Sequence, residues 1–185
     1  APSSFHGRDN TFLGRYIPWM ADRVDEIQQE WRRERPDIDP SPQGVIGRLH
    51  RVGGILMSEL EIVYSAHGLT QGEFDVLMTL RRVGAPFERT PGEVAARTMV
   101  TSGATTKRIE RLERAGLVAR RRSEHDGRGR VVALTPAGVT LADAAFTDHM
   151  ANEHRLLREV PAQDRADLAR ILSAWLGRLE PEDER

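Results

Sequence analysis

The chain has 185 residues, 39% hydrophobic and 30% charged, with a formal net charge of -1. That balance fits a globular protein with a real core and gives no bulk polyelectrolyte signal. It has no cysteine, which excludes a disulfide framework, a thiolate metal site and a cysteine nucleophile and agrees with a reducing, cytoplasmic setting. No apolar run approaches the ~20 residues of a membrane helix, and the start of the chain, with Phe5, His6, Arg8 and Asp9, has no secretory apolar core. Aromatic residues are only 5%, which counts against an all-β module.

Residues 1–16 show no period. Pro18 suits a first helical turn, and Met20, Val24, Ile27 and Trp31 recur at three- and four-residue spacing, so a helix is predicted from Pro18 until Pro36 ends it. Residues 37–42 read as a linker. Val45, Leu49, Val52, Leu56, Leu60 and Val63 then mark a long amphipathic helix over 42–67, stopped by Gly68.

Thr70 and Glu73 form a capping box. It opens a helix containing Phe74, Leu77, Met78 and Leu80 that ends near Gly84. Thr90 and Glu93 form a second box, with Pro91 at the first helical position, before a short helix to about Arg97. Thr101 or Ser102 caps a third helix reaching Ala115, with Gly116 as its stop. After Gly116 the period changes. Residues 117–122 and 130–134 read as two short strands around a polar, glycine-containing loop. Thr135 and Pro136 open a long helix to about Glu159. Pro161 interrupts it, and a last helix covers about 162–179. The segments divide as 1–67, an extra helix and a first dimerisation helix; 68–135, a DNA-binding domain; and 136–185, further dimerisation helices.

The near-neutral total hides an asymmetry. From Arg97 to Arg130 ten basic residues stand against four acids, so this segment carries +6 and the remainder -7. A basic segment on an acidic body is the footprint of a nucleic-acid binder, although a solvated arginine-rich face gives the same count. The order of elements decides between them. Helix, short helix, helix and hairpin make a winged helix-turn-helix, in a fold that is mainly α with a small β-hairpin wing (α+β). Its second helix enters the DNA major groove. On it Ile109, Leu112 and Ala115 mark the buried side. Ser102, Thr105, Thr106, Lys107 and Arg111 are the expected operator contacts, joined by Arg128 and Arg130 in the wing.

These residues resemble the MarR family of winged-helix regulators. The resemblance is carried by the run from Leu69 to Leu77, by Ser102 to Ile109, by Leu112 to Val118, and by Asp126-Gly127-Arg128 leading to Leu134-Thr135-Pro136-Ala137-Gly138. It implies a homodimer on a pseudopalindromic double-stranded operator, with half-sites about one helical turn, ~34 Å, apart. The extra N-terminal helix with its tryptophan is similar to the PecS/HucR-like branch, whose members respond to urate. That branch implies a ligand site of Trp31, Asp75, Arg108 and Arg120, with urate as effector and no cofactor.

Read from the residues alone, these four are uneven. Arg108 flanks the buried side of its helix, suiting an internal partner. Arg120 shares strand parity with Val118 and points inward, or else contacts phosphate. Asp75 lies with Thr79 and Arg82 opposite the Leu77–Leu80 stripe, the pattern of a solvated face. Trp31 continues an apolar stripe. Two arginines and an indole would suit a planar anion, through bidentate bonds and stacking. Citrate or aconitate in the same pocket is the rival effector.

An enzyme is the competing class. There is no phosphate-binding Gly-x-x-x-x-Gly-Lys loop and no Gly-x-Ser-x-Gly elbow. His149 and His154 are five apart, off the shared helix face that a His-Glu-x-x-His zinc site uses. The expectation is no catalytic residue, no metal and no membrane partner. A DNA-binding dimer that senses nothing is the remaining alternative.

Overall fold

The computed structural model describes residues 21–98, 105–122 and 129–180. Among the described residues seven helices and three short strands follow in the order α1 (Arg23–Glu34), α2 (Gln43–Ala66), α3 (Gln71–Arg81), β1 (Glu88–Arg89), α4 (Pro91–Arg97), α5 (Thr105–Arg114), β2 (Val118–Arg122), β3 (Arg130–Leu134), α6 (Pro136–Leu156) and α7 (Ala162–Leu179). The fold is mostly helical with a small β wing, as the element order predicts.

Two compact units divide the chain. One comprises residues 45–152; the other joins the chain up to Gly44 to the part from Glu153 onward. In the second unit α1 begins after Asp22, not at Pro18. The Asp22 carboxylate accepts from the Val24 and Asp25 backbone N–H groups while Asp25 returns a bond, a capping box built from two aspartates. This is a local signal that the apolar stripe obscured. The Gln28 side-chain amide donates to the Pro40 and Ser41 carbonyls at 2.9 and 3.2 Å, tying the linker to the helix.

In the unit of residues 45–152, α3, α4 and α5 enclose a core of Val76, Leu77, Leu80, Val94, Ile109 and Leu112, closed by Val118 and Val132 of the strands. Local chemistry sets the boundaries. Gly68 (φ 69°) and Gly116 (φ 70°) take left-handed conformations. At each a Schellman pair of hydrogen bonds closes the preceding helix: Leu69 N–H to Tyr64 at 2.9 Å with Gly68 N–H to Ser65 at 3.0 Å, and Leu117 N–H to Leu112 with Gly116 N–H to Glu113, both 2.9 Å. Thr70 and Thr90 make complete capping boxes with Glu73 and Glu93.

The wing has one strand more than the sequence predicts. The sheet order is β1-β3-β2, all antiparallel, with Glu88 opposite Ala133 and Val118 opposite Leu134. β1 is two residues long, too short for any alternation to be read. The loop at 123–128 lies outside the described residues.

Candidate nucleic-acid interface and the arginines behind it

α5 is oriented by three buried residues, Thr105, Ile109 and Leu112, spaced four and three apart. They fix what the helix offers to a ligand. Thr106, Lys107, Glu110, Arg111 and Arg114 are exposed. Thr105, expected at the groove, is 3% exposed and its hydroxyl oxygen is buried with no partner among the described residues. Its place four residues before Ile109 puts it on the inner stripe. Ser102 and Arg128, the other expected contacts at the helix start and wing tip, lie outside the described residues. Arg130 is exposed at the start of β3.

Carboxylates hold several basic residues of this surface. Arg111 Nε lies 2.9 Å from Glu73 Oε1 on α3. Arg121 Nε donates to Glu88 of β1 at 2.9 Å. Arg120 shares the face of Val118, yet it lies beyond the core edge. Its guanidinium is 3.6 Å from Glu113 of α5, and its backbone N–H donates to the same carboxylate at 3.2 Å. The +6 segment is therefore partly neutralised in place. In the sequence Glu73 is marked only as a cap, and Glu88 and Glu113 carry no local sign of their partners. The signal for Glu73 was available: a cap uses one carboxylate oxygen, and a buried carboxylate needs its second satisfied too.

Arg108 is placed differently. Its side chain lies on α3 directly over Gly72, where an added Cβ would stand 2.3 Å from Nε and 2.6 Å from Cζ. Its Nη1 is buried with no hydrogen-bond partner among the described residues. A buried guanidinium donor left unpaired is costly and marks a place where an acceptor belongs. Beyond Gly72 on α3, Asp75 is 7% exposed, and Thr79 is fully buried with its hydroxyl donating to the Arg97 carbonyl at 3.4 Å. The solvated face predicted for Asp75 and Thr79 is thus a buried one, because α3 packs against both α4 and α5 and its polar side is covered as well as its apolar side. Trp31 belongs to the other unit and is 49% exposed. Among the described residues no three His, Asp or Glu side chains gather as a metal site would require.

A family model described as the MarR family matches residues 67–129, the winged segment. Over 168 residues the chain is 38% identical to the HTH-type transcriptional regulator PecS of Dickeya dadantii, covering 91% of this chain and 96% of the relative. The chain belongs to the MarR family. It is closely related to PecS-type regulators. An HTH-type transcriptional repressor of Mycobacterium tuberculosis, Rv2887, is 33% identical over 72% of this chain and 93% of its own. The crystal structure of the MarR-family regulator Sco3205 of Streptomyces coelicolor, solved in complex with DNA, shares the fold. Its TM-score is 0.69 at 18% identity, over 79% of this chain and 92% of that one. As a MarR-family protein the chain is a DNA-binding, ligand-responsive transcriptional regulator of a dimeric family, and not an enzyme. Among the described residues no helix is long and apolar enough to cross a membrane.

Proposed function

We propose that the protein is a repressor that binds a pseudopalindromic operator as a homodimer and releases it when urate or a similar planar anion binds at Arg108. The observation that carries the ligand reading is the buried Arg108 Nη1, without a hydrogen-bond partner among the described residues, on a side chain that lies over Gly72. An anionic oxygen would supply the missing acceptor with a charge-assisted bond. The family resemblance adds Arg120 as a second cation. Arg120 would exchange Glu113 for the ligand.

Asp75 gives the switch its direction. A buried carboxylate beside an incoming anion is repelled, and α3 carries it against the recognition helix that carries Arg108. Ligand and operator thus compete for the position of α5. Linkage requires each to weaken the other by the same factor, and a useful response needs ~1–3 kcal/mol of coupling. On the DNA side the reading keeps Ser102, Thr106, Lys107 and Arg111 with Arg128 and Arg130. The buried Thr105 acts by packing.

The dimer reading rests on uncovered apolar stripes. On α2 Val45, Leu49, Val52, Ile55 and Leu56 are exposed, and on α7 Leu168, Ile171, Leu172 and Leu176 are exposed. The relative named as a repressor supports the sign of control. The test is operator release titrated with urate, citrate and aconitate on wild-type protein, Arg108→Ala and Asp75→Ala. Arg108→Ala is expected to keep operator binding and lose release. Asp75→Ala is expected to bind the ligand and respond less. Wild-type urate dependence in both variants would remove this site, and release by citrate or aconitate but not urate would replace the effector.

A further inference from the structure

Glu73 satisfies two partners with its two oxygens. Oε2 accepts from the Thr70 backbone N–H at 2.9 Å and from the Thr70 hydroxyl at 2.8 Å, closing the capping box of α3. Oε1 lies 2.9 Å from Arg111 Nε on α5. The pair is lopsided: the glutamate side chain is 5% exposed and the arginine side chain 59%. Two donors from the cap and burial around it leave the carboxylate with no freedom to turn, so it is a fixed anchor. The ion pair is made at Nε, and the arginine side chain is largely exposed, so its terminal Nη pair is open to a ligand. That end-on pair is the fork that reads the O6 and N7 edge of guanine.

We propose that Glu73 is a positioning residue for operator reading. It touches no DNA, and it holds the Arg111 guanidinium in the pose with which it meets a base edge, so part of the operator's specificity is set on α3. The role rests on the reading of Arg111 as an operator contact. An arginine free on a helix face loses rotamer freedom when it docks, and a side chain already held loses less. The anchor also joins the two functions of α5. Gly72 and Glu73 are consecutive on α3 and hold Arg108 and Arg111, three apart on α5. A ligand that lifts Arg108 from Gly72 thereby disturbs the anchor of Arg111 in the adjoining turn.

The experiment uses the full chain and duplexes selected in vitro from a randomised library by the wild-type protein. Affinity, salt slope, base preference and melting are measured for Glu73→Gln, Arg111→Ala, Arg111→Lys and the Glu73→Gln/Arg111→Ala double variant. Glutamine is accepted in a capping box, so Glu73→Gln is expected to melt near wild type. Arg111→Ala should weaken binding about fivefold or more and relax one base-pair position. Glu73→Gln should weaken it roughly three- to tenfold and relax the same position, with the salt slope unchanged because no phosphate contact is lost. The double variant should bind no worse than Arg111→Ala, and Arg111→Lys, which cannot hang from Nε, should keep the salt slope and lose the preference. Tighter or unchanged binding by Glu73→Gln, fully additive losses, or wild-type base preference in Arg111→Lys would overturn the positioning role while leaving Arg111 as a contact. Wild-type binding by Arg111→Ala would overturn both.

Discussion

Two glycines show how one substitution can have opposite consequences. At Gly138, the third residue of α6, an added Cβ would stand 1.9 Å from the Leu117 carbonyl oxygen. That oxygen is backbone, and it already accepts from Thr135 N–H at 3.1 Å, so neither side can yield without moving the α5–β2 turn. Gly138→Ala should cost at least the ~1–3 kcal/mol of overpacking, visible as a lowered midpoint in urea. At Gly72 the obstacle is the far end of a flexible arginine. Gly72→Ala should push the Arg108 guanidinium out, free its buried Nη1 and leave stability close to wild type. The functional cost should appear instead as weaker ligand-driven release of DNA. A Gly72→Ala protein as unstable as Gly138→Ala, or one with normal ligand response, would contradict this account.

At the scale of elements, caps decide where each helix begins. The Thr135 hydroxyl accepts from Gly138 N–H at 3.0 Å and donates to the Gly116 carbonyl at 2.7 Å, joining the start of α6 to the end of α5. Thr135→Ala should therefore cost about 1 kcal/mol or more, the usual loss of a cap, and Thr135→Ser should recover most of it in thermal melts. Glu93 gives α4 a pH dependence. Bonds from the Thr90 backbone N–H and hydroxyl hold its carboxylate below the usual glutamate range. A depressed folded-state value means that its stabilising effect is present above the unfolded value of ~4.3 and is lost as pH falls through the lower folded value. Hydrogen exchange of the first-turn amides of α4 should speed up in that acid window, and Glu93→Gln should flatten the response. These caps were readable from residues three apart. Asp22 and Asp25 followed the same rule but were hidden by an apolar stripe running through them. β1 was not readable, because a two-residue strand exists only through its pairing with β3.

At the scale of the molecule, stability and function meet in assembly. In α7 no residue is buried, and α2 buries only Tyr64, so both helices carry more apolar surface than one chain covers. Replacing Ile55 or Leu176 with aspartate should shift sedimentation toward monomer and abolish tight operator binding while the winged domain stays folded by circular dichroism. A sedimentation profile unchanged in both variants would mean that the dimer is built elsewhere. What the sequence alone determined are the features whose causes lie within a few residues: helix periods, capping boxes, the glycine stops and the winged order of elements. It also placed Arg108 beside the buried side of its helix, since that follows from its spacing to Leu112. Only the tertiary structure decided the fate of polar residues. The pattern gave Asp75 and Thr79 to solvent, Thr105 to the groove and Glu73 to a cap alone. Burial, however, is set by which surfaces meet, and α3 packs against α4, α5 and β3, which its own local pattern does not record. Ion pairs such as Glu73 with Arg111 or Glu88 with Arg121 likewise arise between elements, where no local period records them.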